Sequence, residues 1–401
     1  MQLTYNNKFK PQKNALMGRL HRNYKKLSMI VVFLVVAILL ILNTSLSSGV
    51  RSLSQSYNKL HSYHKNDILT KNALIFPSIE HAPLLRELTV DTLFNAKVDP
   101  QGNRRYLITE TLDAAEEKLN AKYEADDTTS EMLKVKKSFA DHGKQKFNGP
   151  HSPEVVLVTT IDFEKYELSA LTKIVQNRVN YAQKKKYGVY IRWTQEFLPM
   201  LSEHGADKDW AKLYALRCAM YAFPKAKYFW YLDQDALIMR YDIDLIKYLL
   251  DPGVLDPIML REQPIVPPNG VIRTFKNTEA ANVDLIVTQN MDLNSFVLKN
   301  TLTSRALLDF WNDPLFKSYN NFPRLSESAL IHILQWHPRF LSHTALIPPR
   351  TIGSLYTAMK LIEGDDVHYS KGDFVVNFKD CAQRKSCEKE IESHWEVLQT
   401  K

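Results

Sequence analysis

The segment "YFWYLDQDALIMR", residues 228–240, opens as an apolar and aromatic run, reaches two aspartates one residue apart, and then turns apolar again. The run reads as a buried strand, and a carboxylate buried without a partner is costly. Asp233 and Asp235 therefore need solvent or a cation where that strand ends. Residues i and i+2 of a strand face the same side, about 6–7 Å apart, so the two aspartates are expected to point together with Gln234 turned away. Two hard oxygen donors on one side suit Mg²⁺ or Mn²⁺, which also take phosphate oxygens. Two other readings stand beside this one. The pair could flank a scissile bond, as glycosidase carboxyls do about 5–9.5 Å apart, or be merely solvated or helix-capping. Neighbouring positions at one strand end rarely flank anything, which favours the cation.

Around this segment strands and helices alternate. "EVVLVTT" (154–160) is an expected strand, "LTKIVQNRVNYAQKKKYG" (171–188) a helix, "VYIRWT" (189–194) a second strand and "DWAKLYALRCAMYAFP" (209–224) a helix stopped by Pro224. Further strands are expected at "DLIVTQ", "SFVLKN" and "DFVVNF", with helices over 303–312 and 326–335. That alternation implies an α/β domain built of parallel βαβ units, in which ligands bind beyond the carboxyl ends of the strands. No glycine-rich fingerprint follows the first strand, so neither a dinucleotide site nor a phosphate-cradling loop is indicated.

The chain has 401 residues and a formal charge of +8, but the charge is not spread evenly. Lys8, Lys10, Lys13, Arg19, Arg22, Lys25 and Lys26 precede the first acid, Asp67, leaving 45 basic against 44 acidic residues in the remainder. A nearly neutral body gives no support to nucleic-acid binding. Residues 27–42, "LSMIVVFLVVAILLIL", contain only Ser28 as a polar interruption. A cleaved signal peptide and a core helix are the rival readings. The absence of a polar stripe and the seven flanking cations favour an uncleaved signal-anchor over residues 27–46. The positive-inside rule then places residues 1–26 in the cytosol and everything beyond residue 50 in a lumen. A short span suits a thin early secretory membrane, Golgi or endoplasmic reticulum. Residues 47–150 read as a stem, serine-rich and then charged and helical, with Leu112, Ala115, Leu119, Met132, Val135 and Phe139 as a broken apolar stripe. The texture changes at "NGPHSP", and residues 151–401 form the expected catalytic domain. Cys381 and Cys387 enclose "AQRKS". A lumenal address permits a disulfide there, and two free thiols are the alternative.

The blocks "VVLVTT", "NRVNYAQKKKYG", "WAKLYALRCAMYAFPKAKYFWYLDQDALIM", "LIVTQNMDLNSFVLKN", "LLDFWNDPLF", "IPPRTI" and "DFVVNFKDC" follow one another in an order that resembles glycosyltransferase family 34 over roughly residues 153–390. Within that family the chain is most similar to the yeast α-1,6-mannosyltransferase subunits of the mannan polymerase complex. The resemblance implies a GT-A fold, a type II Golgi membrane enzyme, GDP-mannose as donor, N-glycan mannan as acceptor and other polymerase subunits as partners. It further implies that Asp233 and Asp235 hold Mn²⁺ and the donor diphosphate, with Asn377 as third metal ligand. Thr159 and Thr160 would lie under the nucleotide, with Asn177, Arg178 and Tyr181 nearby, and Trp210 and Lys212 match a W-x-K helix start. The C-x₅-C spacing implies the Cys381–Cys387 bridge. Two departures stand out. Asn294 and Ser295 lack the glycine of the family's "N-x-G-S-F" turn. An acidic helix start expected to touch the transferred sugar becomes "SESAL", where Glu327 can bond a sugar hydroxyl but Ser326 offers no carboxylate. A non-catalytic subunit and a UDP-galactose-dependent α-galactosyltransferase are the alternative functions.

Overall fold

The structure is a computed structural model, and it describes Leu34 and residues 67–88, 93–98, 104–108, 127–202, 205–266, 268–319 and 321–400. Apart from Leu34, the expected cytosolic tail and signal-anchor lie outside the described residues; among the described ones no helix is long and apolar enough to cross a membrane. Apart from Leu34, the described residues belong to one unit, Ser62–Lys401. The elements that position the site are, in chain order, β1 (Leu74–Ile75), β2 (Val155–Ile161), α1 (Leu168–Lys185), β3 (Gly188–Trp193), α2 (Ala211–Ala222), β4 (Tyr228–Leu232) and β5 (Ala236–Ile238). They continue with β6 (Leu285–Thr288), β7 (Ser295–Lys299), α3 (Leu302–Trp311), α4 (Leu325–Trp336), β8 (Thr344–Ile347), β9 (Ser354–Leu355), β10 (Val375–Asn377) and α5 (Cys387–Gln399).

Seven strands form the main sheet in the order β8-β6-β7-β4-β2-β3-β1. The sheet is buried on both faces, which is why its strands read as nearly unbroken apolar runs. Alternation splits them between two cores. Val155, Leu157, Trp230 and Leu232 pack on the α1 side, while Val156, Val158, Phe229 and Tyr231 pack with α2, α3 and α4.

The sheet is mixed α/β, not wholly parallel. β7 runs antiparallel to both β4 and β6, and the other pairings in the sheet are parallel. The cause is the short link from Thr288 to Ser295, which suffices for a reversal, whereas a parallel crossover needs about a dozen residues. A second, three-stranded sheet in the order β9-β10-β5 stands beside the first. In it Ala236 lies opposite Asn377, so a strand from the far end of the chain is laid against the residue that follows Asp235.

The expected border at residue 150 does not mark the edge of the packed body. β1 pairs with β3, and Ile75, Leu85, Val135 and Phe139 are fully buried. Helix Asp127–His142 presents Val135 and Phe139, four apart and hence on one face, to the core. Of the apolar stripe foreseen, Leu112, Ala115 and Leu119 lie outside the described residues, Val135 and Phe139 face the core, and Met132 is half-buried.

Candidate active site

β4 stops at Leu232, and Asp233–Ala236 form a tight turn into β5, closed by the Ala236 N–H to the Asp233 carbonyl at 3.2 Å. The strand periodicity that would place both aspartates on one side therefore does not reach them. Asp233 stays at the sheet: its N–H donates to the Asn294 carbonyl (2.7 Å), and one carboxylate oxygen accepts from the Tyr231 hydroxyl (2.9 Å). The other oxygen accepts the Asp235 N–H at 3.0 Å. Asp235 turns inward. Its carboxylate accepts from Lys165 Nζ at 2.6 and 2.8 Å and from the Tyr166 hydroxyl at 2.7 Å. Burial first, and the Asp233 charge second, push the Asp235 carboxyl above its ordinary range, with Lys165 opposing. Gln234 points elsewhere, to the Asp162 N–H at 2.8 Å.

Beneath the turn lies a layer of side chains committed to holding it. Thr159 Oγ donates to the Leu232 carbonyl (2.8 Å), and Thr160 lies 2.9 Å from the Tyr231 hydroxyl that holds Asp233. On α1, the Arg178 guanidinium donates to the Asp233 carbonyl at 2.5 Å. Burial lowers its pKa to about 10 while Asp233 opposes, so it stays charged at neutral pH. Asn177 brackets β5 by accepting from the Ile238 N–H and donating to its carbonyl, both at 2.9 Å. Tyr181, Ser295 and Trp210 do not line an open pocket. Tyr181 is fully buried; its ring lies beside Trp230 and Phe374, and its hydroxyl accepts the Leu245 N–H. Ser295 accepts the Trp230 indole N–H at 3.0 Å, and Trp210 is core. Their helix and strand phases point them into the cores, so they support the turn instead of facing a ligand.

A ring of alternating charges closes the opposite side. Asp292 Oδ2 accepts from Asn377 Nδ2 (2.8 Å), and Asn377 Oδ1 accepts from both Asn294 Nδ2 and the Lys379 N–H, each at 3.0 Å. Glu327, at the start of α4, is held by Arg324 and by Lys379 Nζ at 2.8 Å. Lys212 Nζ donates to Asp209 at 2.5 Å, and Asp209 also accepts from Ser326 through its N–H and hydroxyl. Against burial, Lys212 and Ser326 hold the Asp209 carboxyl low, while Asp209 and Asp233 hold Lys212 high. So Ser326, which brings no carboxylate of its own, is seated on one from another element.

Sequence reasoning missed Asp162, Lys165, Tyr166, Asp209, Asp292 and Lys379. Asp209 and Asp292 stood beside singled-out residues, in "DWAK" and "MDLNSF", and adjacency was the signal. Nothing in the sequence marks Lys165 or Tyr166, because the turn after β2 delivers them.

Cys381 and Cys387 are bridged, with S–S 2.00 Å. Asp235, Cys381 and Cys387 are the one group of three metal-ligating residue types that converges among the described residues. Bridged sulfurs carry no thiolate to offer, so this is not a thiolate centre. The donors of the turn do fit a hard cation: two carboxylates, one of them raised by burial and then by the other's charge, in a setting of amide and hydroxyl oxygens. Asp233 and Asp235 would hold it. Asn377 Oδ1 already accepts two hydrogen bonds, so it would ligate only after giving one up.

Residues 151–388 match the model of the galactosyl transferase GMA12/MNN10 family. A probable α-1,6-mannosyltransferase of Saccharomyces cerevisiae, MNN11, is 41% identical over 360 residues, 85% of this chain and 84% of the relative. An uncharacterized α-1,2-galactosyltransferase of Schizosaccharomyces pombe is 29% identical over 62% of this chain and 76% of its own. Among solved structures, a glycosyltransferase involved in glycosylating the major capsid of PBCV-1 aligns over 60% of this chain and 100% of its own, with 13% identity and a TM-score of 0.38.

Proposed function

Since the chain belongs to the galactosyl transferase GMA12/MNN10 family of glycosyltransferases, we propose that it is a retaining, Mn²⁺-dependent α-1,6-mannosyltransferase of GT-A fold. In this reading it moves mannose from GDP-mannose to N-glycan mannan, anchored in the Golgi membrane as a type II subunit of a mannan polymerase. The observation that carries the choice of sugar is the 41% identity to the relative named an α-1,6-mannosyltransferase. The choice of chemistry is supported by the Asp233–Ala236 turn, which sets two carboxylates at the carboxyl ends of β2 and β4, where α/β sheets receive ligands.

The division of labour follows from the contacts. A divalent cation, when bound, neutralises charge on the leaving diphosphate. Tyr231 and Arg178 fix Asp233 by its side chain and its carbonyl, so the carboxylate is aimed before the donor arrives. Lys165 and Tyr166 fix Asp235. Glu327, Lys379, Asp209 and Lys212 supply donors and acceptors for sugar hydroxyls on the other side of the turn. A leaving phosphate oxygen takes the acceptor hydroxyl proton on the same face, which requires no enzyme nucleophile.

A second reading, transfer of galactose from UDP-galactose, is favoured by the Schizosaccharomyces pombe relatives that are named galactosyltransferases. Incubating the purified full-length protein with GDP-mannose or UDP-galactose and α-mannobiose, then mapping the product linkage, separates the two. An α-1,6-mannosyl product from GDP-mannose is expected. A galactosyl product overturns the donor assignment, and no product with either donor favours a non-catalytic subunit.

A further inference from the structure

The second aspartate of the turn already has a cation, and it belongs to the chain. Lys165 Nζ lies 2.6 and 2.8 Å from the two carboxylate oxygens of Asp235. The two partners differ in freedom. The Asp235 side chain is 11% exposed, tied by the Tyr166 hydroxyl and by the turn's backbone bonds, and cannot leave. The Lys165 side chain keeps 27% exposure on a flexible four-carbon stem, so it can. Its backbone is fixed where it must be: Asp162 Oδ1 accepts the Glu164 and Lys165 N–H groups at 2.8 and 3.2 Å, in the turn that leaves β2. The ammonium is therefore delivered to Asp235 by a short, rigid base and a mobile arm.

A divalent cation that uses an Asp235 oxygen must displace this ammonium or share the oxygen with it. Two cations beside one carboxylate repel, so a bare ion binds at a disadvantage. With Asp233, Asp235, Lys165 and Arg178 the local charge is zero; a divalent ion alone turns it to +2, and a nucleoside diphosphate brings it back below zero. We propose that Lys165 is an exchangeable counter-cation for Asp235, which weakens binding of the metal alone and makes metal and nucleoside diphosphate bind cooperatively. The inference rests on the reading of Asp233 and Asp235 as ligands to a divalent cation. It deepens that reading by setting an order: the ion enters effectively only in company with the diphosphate. Linkage makes the effect reciprocal, so Mn²⁺ must raise the affinity for the diphosphate by the same factor.

The test is titration of the purified full-length protein in detergent with Mn²⁺, followed by the paramagnetic resonance of the free ion, with and without GDP. Wild type, Lys165→Met, Lys165→Arg and Asp233→Asn are compared. Lys165→Met is expected to bind Mn²⁺ alone about 10-fold more tightly than wild type, and the GDP enhancement is expected to drop from about 10-fold to under about 3-fold. Lys165→Arg, which keeps the charge, should behave as wild type. Without metal the methionine variant should melt lower than wild type, and Mn²⁺ should restore it, because the buried carboxylate has then regained a cation. Should the methionine variant not fold, Lys165→Gln, which can still donate to Asp235, replaces it. Wild type that binds Mn²⁺ while the uncharged variant binds it equally or more weakly overturns the inference and leaves the metal reading intact. Failure of every variant to bind Mn²⁺, with GDP present and with Asp233→Asn no different, overturns the metal reading itself and the inference with it.

Discussion

At the scale of single residues, the two aspartates are not equivalent, although the sequence presents them as a matched pair. Asp235→Ala removes the acceptor of the buried Tyr166 hydroxyl and the partner of Lys165. The hydroxyl is then left with only the weakly accepting disulfide sulfur of Cys381 at 3.8 Å, a loss of about 1 kcal/mol or more, so the variant should lose stability even without metal. That reverses the expectation, natural for a solvent-facing carboxylate, that its removal would be neutral or relieve repulsion. Asp233, half-buried and held by a single hydroxyl and one backbone N–H, should be the milder loss for the fold and an equal loss for Mn²⁺-dependent GDP binding. Thermal melts of both alanine variants with and without Mn²⁺ and GDP check this; equal melting of the two metal-free variants would contradict it. Arg178→Met tests the layer beneath. It should cut transfer at least 10-fold with metal affinity changed less, since Arg178 holds the Asp233 carbonyl and not its carboxylate.

At the scale of elements, the contact between helix Asp127–His142 and the end of β3 is a buried electrostatic unit. Arg192 Nε donates to Glu196 Oε2 at 2.5 Å, and the Trp193 N–H donates to Glu196 Oε1 at 3.0 Å. Against burial, Arg192 and then His142 hold the Glu196 carboxyl at about 2. Burial lowers the His142 pKa below 6.5, with Glu196 opposing, and its Nδ1 sits 3.4 Å from Glu196 without a hydrogen bond. Both shifts are downward, so both contributions are present above the unfolded value and lost on acidification. His142 acts as pH falls below 6.5, and Glu196 as it falls from 4.5 towards 2. His142→Leu is expected to flatten the loss of urea stability between pH 7 and 5.5, with His394, also lowered by burial, leaving a residual slope. An unchanged slope would show that His142 is not held neutral. Glu196→Gln should cost about 3–5 kcal/mol, because it strands the Arg192 charge.

At the scale of the molecule, the Cys381–Cys387 bridge closes a short loop between β10 and α5, and such a loop contributes about 2 kcal/mol. The chain has three cysteines, and Cys218 is free and buried. Denatured protein should thus take one alkyl label without reductant and three with it; three labels without reductant would rule the bridge out. The proposed topology makes a separate forecast. Protease added to sealed microsomes should spare residues 51–401 and reach them only after detergent, whereas digestion of the domain in sealed vesicles would reverse the orientation.

The sequence by itself determined the alternation of β2, α1, β3, α2 and β4, because strands buried on both faces must be apolar throughout and helices between them must carry a stripe. It also determined that the aspartates end such a strand, since a carboxylate cannot continue into the core. The antiparallel course of β7 was legible in principle, in a six-residue link too short for a crossover. Only the tertiary structure decided what surrounds those aspartates. Lys165 and Tyr166 reach Asp235 across 70 and 69 positions of sequence. Asn377 comes beside Ala236 only because β10 pairs with β5. Local propensity and periodicity reach a few residues along the chain, whereas these contacts depend on which strand ends meet, and that is fixed by packing of the whole sheet.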